Sequence, residues 1–367
     1  MLVSFGIYFI LPLILSGTSY LISKKGLTNV AYFIEISYLS TIFTFFMGIR
    51  YDVGIDYFSY YDSYVNFSFN NVHLKNFEPF FYWLYVYGNK LNFSSHFIFF
   101  VSSFIQSFFY LLAFKHDKKN LPYAMFFLFT IMIFSYLNII RQCTAYSILL
   151  VAYSNISRKE YKLGLLYIFL AFLFHNSSLI CLGAFLFIFR KCFIDNWKIQ
   201  SILLLVVLLV FSNNSTENIF NVLNRFLDNS FFSLFIKKRF SLLESERGSG
   251  IGVILKFIYY FIIIFLLRNK NDFRILFLKR IFLFGSILFG CFTYSIIFQR
   301  ISMIFQITQL LLLPQLVYDF KFYWKNKIVI EKVLFFILIF IIVILYIASF
   351  LSGGQNCVPF KINFGEV

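Results

Sequence analysis

The stretch GIRYDVGIDYFSYYDSY, residues 48–64, follows a nearly uncharged run. It sets one guanidinium, Arg50, beside three carboxylates, Asp52, Asp56 and Asp62, and six aromatic rings. Arginine–aspartate pairing is bidentate and would hold such a loop rigid. A carboxylate left over could take a proton or bind sugar hydroxyls. Tyr51, Tyr57, Tyr60, Tyr61 and Tyr64 present flat apolar faces with polar edges. Such faces suit carbohydrate, and they equally suit an aromatic belt at a membrane interface.

YLNIIRQCTAYSI, 136–148, carries Asn138, Arg141 and Gln142 among apolar neighbours near a helix start. An arginine there cannot lose its charge. It needs an anionic partner, either a protein carboxylate or a ligand. The chain has only 16 acidic side chains against 32 basic ones, and a guanidinium matches phosphate geometry. IIFQRISMIF, 296–305, repeats the pattern with Gln299 and Arg300. Two such arginines on one face could cradle a pyrophosphate. His175 stands in FHNSS beside Asn176, Ser177 and Ser178, inside an otherwise apolar stretch. It is either a satisfied hydrogen bonder or an acid, base or donor at a turn. Glu78, just before Pro79, is a helix-start carboxylate or one facing the same cavity.

These residues need elements to hold them, and composition says which kind. The chain of 367 residues is 60% hydrophobic and 13% charged, with a mean hydropathy of +0.80. A soluble domain carries roughly 25% charged residues; this chain has too little polar surface for water, so its solvent is lipid. The net charge of +16 then reads as loop bias in a membrane protein, not as a nucleic-acid footprint. Cys143, Cys181, Cys192, Cys291 and Cys357 are scattered, with no CxxC. They read as small buried hydrophobes, and no metal site is expected. The apolar run beginning at Met1 reads as a retained span.

Apolar stretches of membrane-spanning length fall at 2–22, 29–49, 93–114, 120–137, 139–156, 197–212, 253–268, 275–296, 300–318 and 329–351. Residues 161–189 do not fit one crossing, since a straight helix would run about 43 Å through a core of about 30 Å. The polar FHNSS at its middle marks a break. Loop charge decides what the break means. Lys24 and Lys25 place the first connection in the cytoplasm, and Lys115, Lys118, Lys119, Arg158, Lys159 and Lys162 agree. With a helical hairpin turning at His175, the later basic connections also fall inside: Arg190, Lys191 and Lys198; Arg268, Lys270 and Arg274; Lys321, Lys325 and Lys327. The expectation is an all-α polytopic integral membrane protein of ten full spans plus one re-entrant hairpin, in a single domain covering 1–367. Residues 79–90 form a further short helix. Arg50, Arg141, His175, Arg300 and two long connections, about 50–78 and 213–251, then lie at the outer face. GSGIG at 248–252 is a lead-in to a helix rather than a phosphate loop, and 235–247 is an amphipathic segment of mixed charge, a surface lid or a plain solvated helix.

The ordered series R-x-D-V-G-x-D-Y-x-x-Y from Arg50, EPFFYWL from Glu78, N-x-x-R-Q-x-x-A from Asn138 and LAFLFHNSSLI from Leu170 resembles the EpsG family of bacterial membrane proteins. The QR at 299–300 and the VPF at 358–360 fit as well. The likeness is strongest over 48–180 and weak over 197–270. It implies a GT-C-like integral membrane glycosyltransferase, a Wzy-like polymerase of O-antigen, capsule or exopolysaccharide repeat units in the bacterial inner (cytoplasmic) membrane. The donor would be a growing glycan on undecaprenyl pyrophosphate, and the acceptor a lipid-linked repeat unit on the extracytoplasmic (periplasmic) side. Membrane lipids, and in some systems a chain-length regulator, would be partners; no nucleic acid, cofactor or metal is expected. The chemistry would fall to His175, Asp52, Asp56 and Glu78 as proton carriers. Arg50, Arg141, Gln142, Arg300, Tyr60 and Asn138 would bind pyrophosphate and sugar. A lipid-linked oligosaccharide flippase, an O-antigen ligase and a membrane acyltransferase are the alternatives. A flippase would need charges along a path through the bilayer, whereas these gather at one face.

Overall fold

A computed structural model describes residues 1–24, 28–67, 78–188, 193–212, 250–292 and 296–362. Every regular element among them is helical, and the β-contact they contain is an isolated antiparallel bridge between Arg50 and Ile362. Leu2–Lys24, Asn29–Gly48, Lys118–Asn138, Gln299–Tyr323 and Val329–Leu351 are long and apolar enough to cross a membrane. Shorter apolar helices occupy His96–Leu112, Tyr161–Phe174, Asn176–Phe187, Trp197–Leu209 and Ile251–Leu266. Among the described residues, each of the ten expected apolar stretches coincides with helix. One departs in detail: 300–318 is divided between Ile296–Gln306 and Gln309–Tyr323. The short helix expected at 79–90 is Pro79–Lys90. GSGIG does lead into a helix, with Gly250 at φ +75° capping Ile251–Leu266. Most of the second expected outer loop, the 235–247 segment, Arg190, Lys191 and Cys192 lie outside the described residues.

The helices group into two compact units. The first comprises residues 1–183, 310–327 and 342–367. At its centre runs Ile140–Ser157, in which every side chain from Gln142 to Ser157 is buried. This central helix is rich in Ser, Ala, Cys and Thr, small residues that let neighbouring backbones approach closely. Three of its serine and threonine hydroxyls bond back onto the helix, as Ser147 does to the Cys143 carbonyl at 3.2 Å, and Ser154 donates to the Ala113 carbonyl at 2.9 Å, so they enter an apolar environment already satisfied. Gln106 on His96–Leu112 donates to the Ile140 carbonyl at 3.2 Å and lies 3.3 Å from the Thr144 hydroxyl.

Tyr161–Phe174 packs on the central helix, antiparallel to it. A Cβ built on Gly164 would lie 2.3 Å from Ile156 Cγ1 and 3.4 Å from the Ala152 carbonyl, so only glycine permits this approach. Gly164→Val is therefore expected to lower the melting temperature of the detergent-purified protein. Overpacking of this kind costs about 1–3 kcal/mol, and an unchanged melting curve would mean that the two helices can spread.

The segment 161–187 turns back on itself. Its first arm ends at His175, whose backbone leaves the helical region (φ −157°, ψ 118°), and a 3-10 helix follows over Asn176–Phe187. Continued straight, the chain would put Cys181 about 9 Å beyond the level of His175. Instead Cys181 Sγ lies 3.0 Å from the Tyr153 hydroxyl, and Tyr153 is about 18 Å along the central helix from Arg141. The chain has thus reversed at His175, where the sequence places the turn. The returning arm is 3-10 rather than α.

The second unit comprises residues 184–309 and 328–341. The apolar stretch 275–296 holds a buried ion pair there. Arg280 meets Asp195 in a fork, Nε to Oδ1 and Nη2 to Oδ2, both at 2.6 Å, and donates to the Phe187 carbonyl at 2.8 Å. Arg268 pairs with Glu331 at 2.8 Å. The basic residues of this unit thus do more than bias the loops, since two of them hold its segments together.

Candidate functional site

The first unit brings three of the expected residues into one linked group. Pro79 opens the helix Pro79–Lys90 with its fixed φ, which leaves Glu78 at the N-cap with φ −142° and no side-chain capping bond. The Glu78 carboxylate turns instead toward two donors. Oε2 accepts from Arg141 Nη1 at 2.5 Å, and Oε1 lies 2.6 Å from His175 Nδ1. Three structural features converge here: the start of an aromatic helix, the first turn of the central helix and the reversal of the hairpin. Phe80 and Phe174 lock the geometry from the apolar side, their ring centroids 4.9 Å apart.

Burial is graded across the group. The Glu78 side chain is 6% exposed, His175 24% and Arg141 33%. The bridging carboxylate is therefore inside, while its two partners reach the surface of the site. Burial alone would raise the Glu78 carboxyl; the His175 hydrogen bond and the Arg141 charge outweigh it and hold the group below the ordinary glutamate range. An ionised Glu78 requires the proton on His175 Nδ1. The other ring nitrogen, Nε2, has no protein partner among the described residues. A guanidinium has five N–H donors, so the contact with Glu78 leaves Arg141 capacity for an anion. Arg141 also lies over the Tyr60 ring, 5.5 Å from its centroid. Burial pushes the Tyr60 hydroxyl up, with Asp56 adding to the rise and Arg141 opposing it, so Tyr60 is a neutral donor and not a base.

The remaining expected site residues have the following surroundings. Arg50 is 1% exposed. Its Nη1 donates to the Met47 carbonyl at 3.1 Å and its guanidinium sits 4.8 Å from the Phe99 ring centroid. Arg50, expected to bind pyrophosphate, is thus a buried cation packed on an aromatic ring at the end of Asn29–Gly48. Asp52 adopts φ +50° and pairs with Lys361, so it is engaged outside the group at Glu78. Asp56 stands at the start of the helix Tyr57–Val65, on the Tyr60 side. Gln142 is buried on the central helix. Arg300 is exposed on Ile296–Gln306 in the second unit.

Asn138, expected to bind sugar, staples three segments together. Its Oδ1 accepts from Ile55 N at 2.6 Å, and its Nδ2 donates to the Phe134 carbonyl and to Gln355 Oε1, both at 3.0 Å. A Cβ on Gly54, at φ +106°, would stand 2.9 Å from that Oδ1, which explains the glycine in the loop. Residues past the last helix form a strap over the same loop. Tyr51 N bonds to the Lys361 carbonyl at 3.0 Å, Gly54 N to Asn356 at 2.9 Å and Ile55 N to Gln355 at 3.2 Å. Tyr8 closes the far side by donating to the Cys357 carbonyl at 2.7 Å. Sequence reasoning missed this strap. Its signal was the polar run SGGQN directly after an apolar span, with four consecutive residues, Gly353 to Asn356, at positive φ.

Among the described residues no group of three His, Cys, Asp or Glu side chains could hold a metal ion. The model of one family, described as the EpsG family, matches residues 32–362. No curated protein and no solved structure matches the chain.

Proposed function

The chain belongs to the EpsG family, and on that premise we propose that it is a repeat-unit polymerase of a bacterial surface polysaccharide. It has about ten crossings, a GT-C-like architecture and its reaction site on the outer face of the cytoplasmic membrane. The basic connections on one side support that orientation. The observation that carries the chemical reading is the Glu78 carboxylate bridging Arg141 and His175, with both partners partly exposed. The donor is a glycan on undecaprenyl pyrophosphate and the acceptor a hydroxyl of a lipid-linked repeat unit.

The acceptor oxygen forms a bond to the donor's anomeric carbon as that carbon's bond to the diphosphate breaks. The acceptor proton passes to His175 Nε2, and the lipid diphosphate departs with the bonding pair. Its added charge is met by Arg141, a donor fixed before the reaction begins. Glu78 holds the histidine in the tautomer that can accept a proton, and so positions the base without being it. Direct displacement of this kind inverts the anomeric carbon.

Purified protein given a synthetic undecaprenyl-pyrophosphate repeat unit should yield a ladder of polymers and free lipid diphosphate, with no nucleotide sugar present. Transfer to a lipid A core with no ladder would identify a ligase instead. Movement of the intact substrate across a vesicle membrane with no new glycosidic bond would identify a flippase.

A further inference from the structure

An apolar groove of about 420 Å³ borders the charged group, lined by Phe80, Trp83, Leu84, Tyr87, Ile105 and Phe174. Two of its walls belong to the site. Phe174 directly precedes His175, and Phe80 is two residues past Glu78; their rings touch with centroids 4.9 Å apart. Residues 80, 83, 84 and 87 follow the i, i+3, i+4, i+7 spacing of a single helix stripe, which runs about 10 Å along the helix from the charged end. At the far end Trp83 and Tyr87 stand with ring centroids 5.7 Å apart and remain 46% and 56% exposed. The stripe thus begins beside the charged group and is open at its far end.

We propose that this groove holds the first part of the hydrocarbon chain of the lipid diphosphate whose head lies at Arg141 and His175. The inference rests on the polymerase reading and deepens it by assigning the chain a seat. The argument is continuity: an anion held at Arg141 must send its tail away from the polar group, and the aromatic stripe begins at that point. A hydrocarbon chain gains little by leaving bilayer for groove, because lipid tails are as apolar as the side chains. Selection therefore comes from shape, flat ring walls against a stiff, methyl-branched polyprenyl chain, where a saturated acyl chain packs less fully.

The test is photolabelling of the purified full chain in phosphatidylethanolamine nanodiscs with a polyprenyl diphosphate carrying a diazirine in its second isoprene unit. Label is expected on peptides containing Trp83 and Tyr87. It should be competed by unlabelled polyprenyl diphosphate and not by the same excess of phosphatidylglycerol. The Trp83→Ala/Tyr87→Ala variant should take up about fivefold less label while its melting curve stays unchanged. With a lipid-linked repeat unit, the same variant should show a raised KM for the full-length polyprenyl carrier and an unaltered KM for a carrier of one isoprene unit.

Equal competition by phosphatidylglycerol would make the groove an ordinary lipid contact and overturn the proposal. So would label confined to other helices, or protein–protein crosslinks through Trp83 marking an interface between two copies. Selective labelling without any polymer formation would leave the lipid seat standing and remove the polymerase reading instead.

Discussion

Replacing Arg141 by alanine is expected to abolish long polymer and leave single repeat units on the lipid carrier. The reaction's leaving group is already a diphosphate, so its main demand is a fixed positive charge where negative charge grows. Loss of one such preorganised donor lowers turnover by about 10²–10³. Arg141 is well placed to meet that demand. It is held at 2.5 Å by Glu78, lies against the Tyr60 ring and stays one-third exposed. The measurement is the chain-length distribution of surface polysaccharide in cells whose sole copy carries the variant, at matched protein level. Because removing one member of a buried ion pair can itself destabilise by about 3–5 kcal/mol, Arg141→Lys provides the second arm. Lysine restores the charge and relieves Glu78, but it lacks the planar fork, so the variant should fold normally and polymerise between the wild-type and alanine levels. Normal polymer in the alanine variant would show that Arg141 serves only Glu78.

Much of the helical layout was legible, because an apolar run of span length has few other uses. The reversal at His175 was legible for a related reason: four polar residues in the middle of an overlong apolar segment forbid a straight crossing, and loop charge then selects the hairpin. The site was legible only as a set of unconnected candidates. Glu78 lies 63 residues from Arg141 and 97 from His175, and nothing in a lone carboxylate before Pro79 says which way it turns. The surroundings of Arg50 were not legible for a physical reason. Its neighbours in sequence are aspartates, which suggests ion pairing, yet one of these, Asp52, is drawn to Lys361 of the strap and Arg50 is packed on Phe99. The strap is itself a long-range device, set by Asn138 and by backbone bonds between residues 51–55 and 355–361. Short-range pattern cannot see such pairings. Arg280 with Asp195 makes the same point in the second unit, where an apolar stretch conceals a charge whose partner is 85 residues away.

Glu78→Gln separates the positioning role from the structural one. The carboxylate accepts on both oxygens, from Arg141 on one and from His175 on the other. Glutamine offers one acceptor and one donor, so whichever way the amide turns, one partner meets a mismatched group. If the carbonyl keeps Arg141, the amide N–H₂ faces His175 and forces Nδ1 to become the acceptor. The proton then sits on Nε2, where the acceptor hydroxyl should deliver its own. Polymerisation should therefore fall about 10²–10⁴-fold, the usual worth of a general base, while the protein still folds. Stability gives an independent reading. Glu78 in the folded protein is held below its ordinary value, so its contribution is fully present above the ordinary glutamate pKa of about 4.3 and is lost as pH falls through the lowered value. The melting-temperature gap between wild type and Glu78→Gln should be widest near neutral pH and close in acid. A variant with wild-type polymerisation and the same pH-dependent gap would leave Glu78 as a structural clamp, with His175 free of the tautomer that the mechanism requires.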